Sequence, residues 1–389
     1  MPRTFHRDRF TWLAYLSLAF YGYFLNVLGP ITPFLKEELQ LTYTVSSFHF
    51  TAFAVGILLV GVGGHMLIQR IGRLRSLWIG MIGISLSALL LLAGKNPVIT
   101  IGASFLMGLI GSLILAIVPA ALSDQHGEMR AVALSEANVT ASLLATSAPL
   151  MVGWSANLFN NWRLALGIIA CTPLLLFVAL GKGTSPKTIS TSDEPTLSNQ
   201  PLPSLFWVYW IAIVLGVSIE FCMIFWSADY LEQVLGMVKA NAAQAVSLFL
   251  AAMILGRISG SRLVQRFSTR LVVTVSILIA SIGFLIFWRT ENVFLGLSGL
   301  FITGLGVANL YPLILSLAIG AADGNTVQAG ARATLASGAA ILALPLVLGR
   351  LADAVGIRSA YGVVVLLLIS VFLITQIAGR ISLVVDTPA

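Results

Sequence analysis

The sequence predicts an all-α membrane protein: twelve transmembrane helices arranged as two pseudo-symmetric six-helix bundles. Three observations predict it. The 389 residues are 58% hydrophobic and 10% charged, against about 25% charged in a soluble domain, so the chain cannot cover a water-facing surface. Its apolar residues fall into twelve runs, each near the roughly 20 residues that cross about 30 Å of hydrocarbon. Short matches also recur at one offset of 196 residues. A soluble enzyme, a DNA-binding module and a disordered chain are excluded. The net charge of +7 is spread between apolar runs and makes no nucleic-acid patch. Cys171 and Cys222 both lie inside apolar runs, which excludes a disulfide framework and a cysteine metal site.

The runs cover 11–35, 45–68, 76–94, 97–122, 131–156 and 164–181, then 205–231, 240–261, 271–288, 293–319, 333–349 and 359–379. The first follows a basic tail with Arg3, Arg7 and Arg9 and is too long for a signal-peptide core, so it reads as a true helix. Lysines and arginines set the expected orientation. With the N-terminus inside, 14 of the 22 basic residues fall on the inner side and seven on the outer side, with Arg257 inside a run. Both termini are therefore expected in the cytoplasm. The longest polar stretch, Gly181 to Ser204, is rich in Ser, Thr and Pro and reads as a linker. The expected organisation is a bundle over 1–181, a cytoplasmic linker over 182–204 and a second bundle over 205–389.

The offset of 196 joins three places in order. Leu67-Ile68-Gln69-Arg70 matches Leu263-Val264-Gln265-Arg266, and Gly108-Leu109 matches Gly304-Leu305. Pro149-Leu150-Met151-Val152-Gly153 matches Pro345-Leu346-Val347-Leu348-Gly349. Three matches on one offset indicate two halves of parallel topology, a construction common among transporters. Gly29-Pro30, Pro119, Pro149, Pro312 and Pro345 are expected to interrupt helices.

The loop Gly64-His65-Met66-Leu67-Ile68-Gln69-Arg70-Ile71-Gly72-Arg73-Leu74-Arg75, with the twelve runs and the central linker, resembles the major facilitator superfamily. It matches the Gly-x-x-x-Asp-Arg-x-Gly-Arg-Arg signature at Arg70, Gly72 and Arg73. The first glycine falls one place early, and Gln69 replaces the aspartate, as Gln265 does in the second half. No role that needs a carboxylate there transfers to this chain. Gly216-Val217-Ser218-Ile219-Glu220, Trp226, Tyr230-Leu231 and Leu255-Gly256-Arg257 look like the fucose/glucose permease branch, which implies a small polar solute.

Three charged side chains stand out within the runs: Glu136, Glu220 and Arg257. A charge near the bilayer centre costs about 2.5–3.5 kcal/mol on insertion scales, so it usually faces a cavity or a partner. Glu220 lies deep in the seventh run beside small and polar neighbours. The resemblance implies that this helix lines the cavity, so Glu220 is the candidate solute or proton site. The bland alternative is a carboxyl bonded to a neighbouring helix. The resemblance also implies that the fifth and eighth helices meet, which makes Glu136 and Arg257 a candidate inner gate. Arg332, at the position 196 beyond Glu136, is expected to join it with Gln69, Arg70 and Arg73. The alternative is an Arg257 at lipid headgroups and a Glu136 facing water. Asn26, Asn138, Asn309, Tyr311 and Trp226 supply amides and aromatic faces of the kind that hydroxylated solutes use.

The expected function is secondary active transport of a sugar-like solute by alternating access in a bacterial inner membrane, with a proton as the coupling ion. Efflux of amphipathic compounds and organic-anion transport are the alternatives, and a transport-dead sensor is a reading from another class. No ATP-binding loop or metal-spaced cluster is present in the sequence, so no enzyme activity, metal or cofactor is expected. The expected partners are the solute, the proton and the bilayer, with the chain a monomer and no nucleic acid bound.

Overall fold

The computed structural model describes residues 5–181, 201–322 and 325–385. These residues form fifteen α-helices and one 3-10 turn. In order, α1 is Arg9–Glu38, α2 Tyr43–Ile71, α3 Arg73–Ala93, α4 Pro97–His126, α5 Arg130–Phe159, α6 Leu164–Ala170 and α7 Thr172–Leu180. They are followed by α8 Ser204–Gln233, α9 Lys239–Leu263, α10 Thr269–Arg289, α11 Val293–Val307 and α12 Leu310–Gly320. The last three are α13 Thr326–Val355, α14 Ile357–Ala360 and α15 Gly362–Val385. Ten helical stretches among the described residues are long and apolar enough to cross a membrane, one of them running unbroken from Pro97 to Phe159 through α4 and α5. Part of the linker expected at 182–204 lies outside the described residues.

Helix starts follow the sequence chemistry. Asp8, Asn96, Ser268 and Asn292 each turn a side-chain oxygen onto a backbone N–H of the first turn, satisfying a donor that the helix itself leaves unpaired. The prolines behave differently from expectation. Pro30, Pro119, Pro149 and Pro345 stay inside continuous helices, and only at Pro312 does the chain split. Pro312 has no N–H for the carbonyl of Ala308 four residues back, so the helix stops at Val307 and restarts at Leu310.

The chain clusters into two compact units, Met1–Leu41 with Phe48–Ser192 and Thr42–Ser47 with Asp193–Ala389. In the first unit, α1 packs along α5 and α3 along α4, over a core that includes Phe20, Tyr23 and Phe24. In the second, α8 is central, against α9, α12, α13 and α15, while α10 packs along α11. The sequence offset reappears in the packing. A Cβ on Gly108 would collide with the backbone carbonyl of Phe53, and a Cβ on Gly304 with that of Phe249. Phe249 lies 196 residues after Phe53, as Gly304 does after Gly108. The glycines let α2 meet α4 in one unit, and α9 meet α11 in the other, at backbone contact, the close approach that membrane helices favour.

Candidate functional site

Glu220 lies midway along α8 in the second unit. Its side chain keeps 15% exposure and faces Arg257 of α9, with Glu220 Oε1 3.8 Å from Arg257 Nη2. That separation is an ion-pair distance but too long for a hydrogen bond. Arg257 is 45% exposed on its other side. Tyr311, in the first turn of α12, lies within electrostatic reach of Glu220, with Ser337 of α13 near its hydroxyl. Asn309 fills the break between α11 and α12. Its amide lies where a Cβ on Gly260 would fall, one turn along α9 from Arg257. Four elements thus bring a carboxylate, a guanidinium, a phenol, a hydroxyl and an amide to one region beside an interrupted helix. Interrupted helices expose backbone groups to ligands in many transporters.

Glu136 has partners within its own unit. Arg7 reaches it with two hydrogen bonds, Nε to Oε2 at 2.8 Å and Nη2 to Oε1 at 2.5 Å, and the Tyr15 hydroxyl donates to Oε2 at 3.2 Å. Arg257 in turn faces Glu220. Within its own unit each charge of the expected Glu136–Arg257 gate thus has a partner, Arg7 for Glu136 and Glu220 for Arg257. Arg73 forms an ion pair with Asp124 at the end of α4. Gly72 makes this possible, because its φ of 91° is a turn that glycine adopts without strain. Gln69 and Arg70 are exposed in the last turn of α2. Arg332 is exposed near the start of α13, where its carbonyl accepts the Trp210 indole N–H at 2.8 Å.

Trp226 also departs from expectation. It is fully buried, its indole N–H donates to the Pro345 carbonyl at 3.1 Å, and it packs 5.7 Å from the Tyr43 ring. With its one donor used inside the unit, it is packing rather than a solute contact. Asn26 and Asn138 lie in the first unit. Each donates its amide to its own helix, to Gly22 and Leu134 at 2.8 Å. The count of three intramembrane charges missed a fourth. Asp229 lies within the seventh run and is completely buried, in electrostatic reach of Tyr43 and Tyr361. Its signal was in plain view, a carboxylate inside an apolar run. Asp353 was also overlooked; in the second unit it accepts the N–H groups of Tyr43 and Thr44 at 2.8 Å each and so caps the start of α2.

A family model of the Major Facilitator Superfamily matches residues 14–343. The chain belongs to the Major Facilitator Superfamily. An uncharacterized MFS-type transporter of Yersinia pestis is 25% identical over 373 residues, covering 91% of this chain and 92% of that one. The glucose/mannose transporter GlcP of Bacillus subtilis is 25% identical over 337 residues, covering 77% and 78%. A bacterial homolog of the human lysosomal transporter Spinster, crystallised inward-facing and occupied, superposes with a TM-score of 0.78 at 14% identity, covering 96% of this chain and 98% of that one. At that identity the superposition speaks for the fold alone. The chain is thus a multi-pass membrane protein of a transporter family whose members carry small solutes.

Proposed function

We propose that this protein carries a small hydroxylated solute, a hexose or a close relative, across the bacterial inner membrane by alternating access, coupled to proton movement. In this reading the chain crosses the membrane twelve times with both termini in the cytoplasm, in keeping with the two-to-one excess of basic residues on that side. The observation that carries the proposal is the loose pair of Glu220 and Arg257 beside the α11–α12 break. At 3.8 Å neither group is saturated, so hydroxyls of a sugar can enter between them and take hydrogen bonds from both. Tyr311, Asn309 and Ser337 complete the polar set. The Glu220 carboxyl, facing Arg257 from the middle of α8, is also the candidate proton carrier. The relation to a glucose/mannose transporter supports a sugar.

The test is uptake of radiolabelled glucose and mannose into proteoliposomes, driven by an inward proton gradient. The expected result is accumulation that collapses with a protonophore and is lost in Glu220→Gln. Accumulation unaffected by the protonophore and by that substitution would sink the proposal. The exposure of Arg257 favours one second reading, an organic anion carried on the guanidinium. Accumulation of a carboxylate solute, lost in Arg257→Gln and retained in Glu220→Gln, would select it.

A further inference from the structure

One corner of the second unit gathers two arginines, Arg289 and Arg358. The end of α10 and the short α14 enclose a cavity of about 330 Å³ lined by Trp288, Arg289, Arg358 and Ser359, a volume within the range of small-ligand sites. The lining is held in place from within. The Trp288 indole N–H donates to the Arg358 carbonyl at 2.6 Å, and Arg358 Nη2 donates to the Arg289 carbonyl at 3.2 Å. Arg358 Nη1 reaches Glu291 at 3.0 Å, and the Arg289 guanidinium lies 5.7 Å from the centre of the Trp288 ring. The corner thus holds two guanidiniums, and the carboxylate that meets Arg358, Glu291, is 78% exposed.

The first unit has a corresponding corner that serves as an internal control. Stepping back 196 positions from Trp288, Arg289, Arg358 and Ser359 gives Leu92, Ala93, Trp162 and Arg163. A comparable arrangement is present there, shifted so that Arg163 stands where the second unit has Ser359: Arg163 Nε donates to the Leu92 carbonyl at 3.4 Å, and its guanidinium lies 4.6 Å from the centre of the Trp162 ring. At that corner, however, the chain supplies its own anion. Glu38, at the end of α1, takes both Nη groups of Arg163 at 2.8 and 2.5 Å and the Trp162 N–H at 2.8 Å. The position 196 beyond Glu38 is Val234, which has no charge to give. The nearest carboxylate on that helix, Glu232, faces Lys239 at 3.5 Å.

The second corner thus carries two arginines where the first carries one, and the carboxylate contact on Arg358, from Glu291, is single and exposed. Its surroundings indicate the source of an anion. Phe294 is 75% exposed, and Val293, Leu295, Ile282 and Leu285 are exposed beside it on α10 and α11. An apolar face of this kind meets acyl chains, and tryptophan and arginine at the end of such a face sit at headgroup level. Arginine forks match phosphate oxygens in geometry and charge. We infer that the corner formed by Trp288, Arg289 and Arg358 binds the phosphate of an anionic phospholipid headgroup, with the acyl chains lying along α10 and α11. The inference does not depend on which solute is carried.

The experiment is thermal unfolding of the purified, delipidated full chain with added phosphatidylglycerol, phosphatidylcholine or inorganic phosphate. Phosphatidylglycerol is expected to raise Tm by mass action at lower concentration than phosphatidylcholine. Arg289→Gln is expected to raise its half-saturating concentration about tenfold, the worth of one charge-assisted hydrogen bond. Arg266→Gln, which alters an exposed arginine away from the corner, is expected to leave it unchanged. Equal responses of wild type and Arg289→Gln, or equal losses in both variants, would overturn the site. The same stabilisation by inorganic phosphate alone would overturn the lipid assignment. If Arg289→Gln does not fold, Arg289→Lys followed by native mass spectrometry of retained lipid gives the same decision. It keeps the charge and removes the fork, so unchanged retention overturns the bidentate site and reduced retention supports it.

Discussion

The two units handle charge in opposite ways. In the first, several carboxylates each accept more than one hydrogen bond. Glu136 accepts from Arg7 twice and from Tyr15, Glu38 accepts from Arg163 twice and from Trp162, and Asp8 accepts from Thr11 and Gln125. In the second, the pair furthest from any helix end is a single contact of 3.8 Å between Glu220 and Arg257. Carboxylates bonded in this way hold a structure together. A charged pair in mid-helix with unfilled hydrogen-bonding capacity adds little to stability, because desolvation offsets much of the attraction. Such a pair is available to a ligand. The comparison teaches that multiplicity of hydrogen bonds, more than the presence of a charge in an apolar segment, separates the scaffold from the candidate site.

The largest expected effect tests the second unit. Glu220→Gln should cut uptake by about 10- to 100-fold, the loss that follows removal of a charged hydrogen-bonding partner, while Tm hardly moves. Activity and unfolding measured on one preparation decide the matter; a Tm loss as large as the activity loss would return Glu220 to the scaffold. The converse is expected at the first unit. Glu38→Gln should lower stability by about 1 kcal/mol, since the group is partly exposed, or roughly 2–4 °C in Tm, with uptake kinetics intact. A transport defect without a Tm shift would erase the contrast between the units.

The smallest effect concerns Asp8. Burial pushes its carboxyl upward, but the Thr11 N–H and hydroxyl, the Gln125 amide and the neighbouring His126 together hold it below the usual carboxylate range. A depressed value means that the ionised form is the one the fold favours. Its contribution is therefore full above the ordinary carboxylate pKa of about 3.9 and fades as the pH falls through the lowered value. Asp8→Asn keeps a capping oxygen and removes the charge. The Tm difference between wild type and this variant should shrink as pH drops from 7 toward 3.5. A difference that grows on acidification would refute the assignment of Asp8 as a charged cap. Asp8→Ala should cost about 0.5–2 kcal/mol at neutral pH.

Much of the architecture was legible in the chain. Apolar runs announce helices because a segment crossing hydrocarbon must satisfy its own backbone and cover itself with apolar side chains. The run at 205–231 became α8 over Ser204–Gln233, and that at 240–261 became α9 over Lys239–Leu263. The offset of 196 was readable too, and it led to equivalent glycine contacts at Gly108 and Gly304. Glu220 stood out as a carboxylate in an apolar context, and Asp229 gave the same signal unread. Proline was a poor guide to breaks. A helix interior tolerates a lost hydrogen bond where neighbours support it, so four of the five expected interruptions stayed continuous.

The sequence by itself determined the membrane class and the all-helical fold, because each is written in local composition and spacing. Only the tertiary structure decided who pairs with whom. Arg7 is 129 residues from Glu136 and Glu38 is 125 from Arg163, distances across which spacing carries no information. Whether a tryptophan such as Trp226 offers its face to a solute or donates to a carbonyl on another helix depends on a contact 119 residues away. Charge announces itself in one dimension. Its partner is chosen in three, by whichever opposite group the packing brings within about 4 Å.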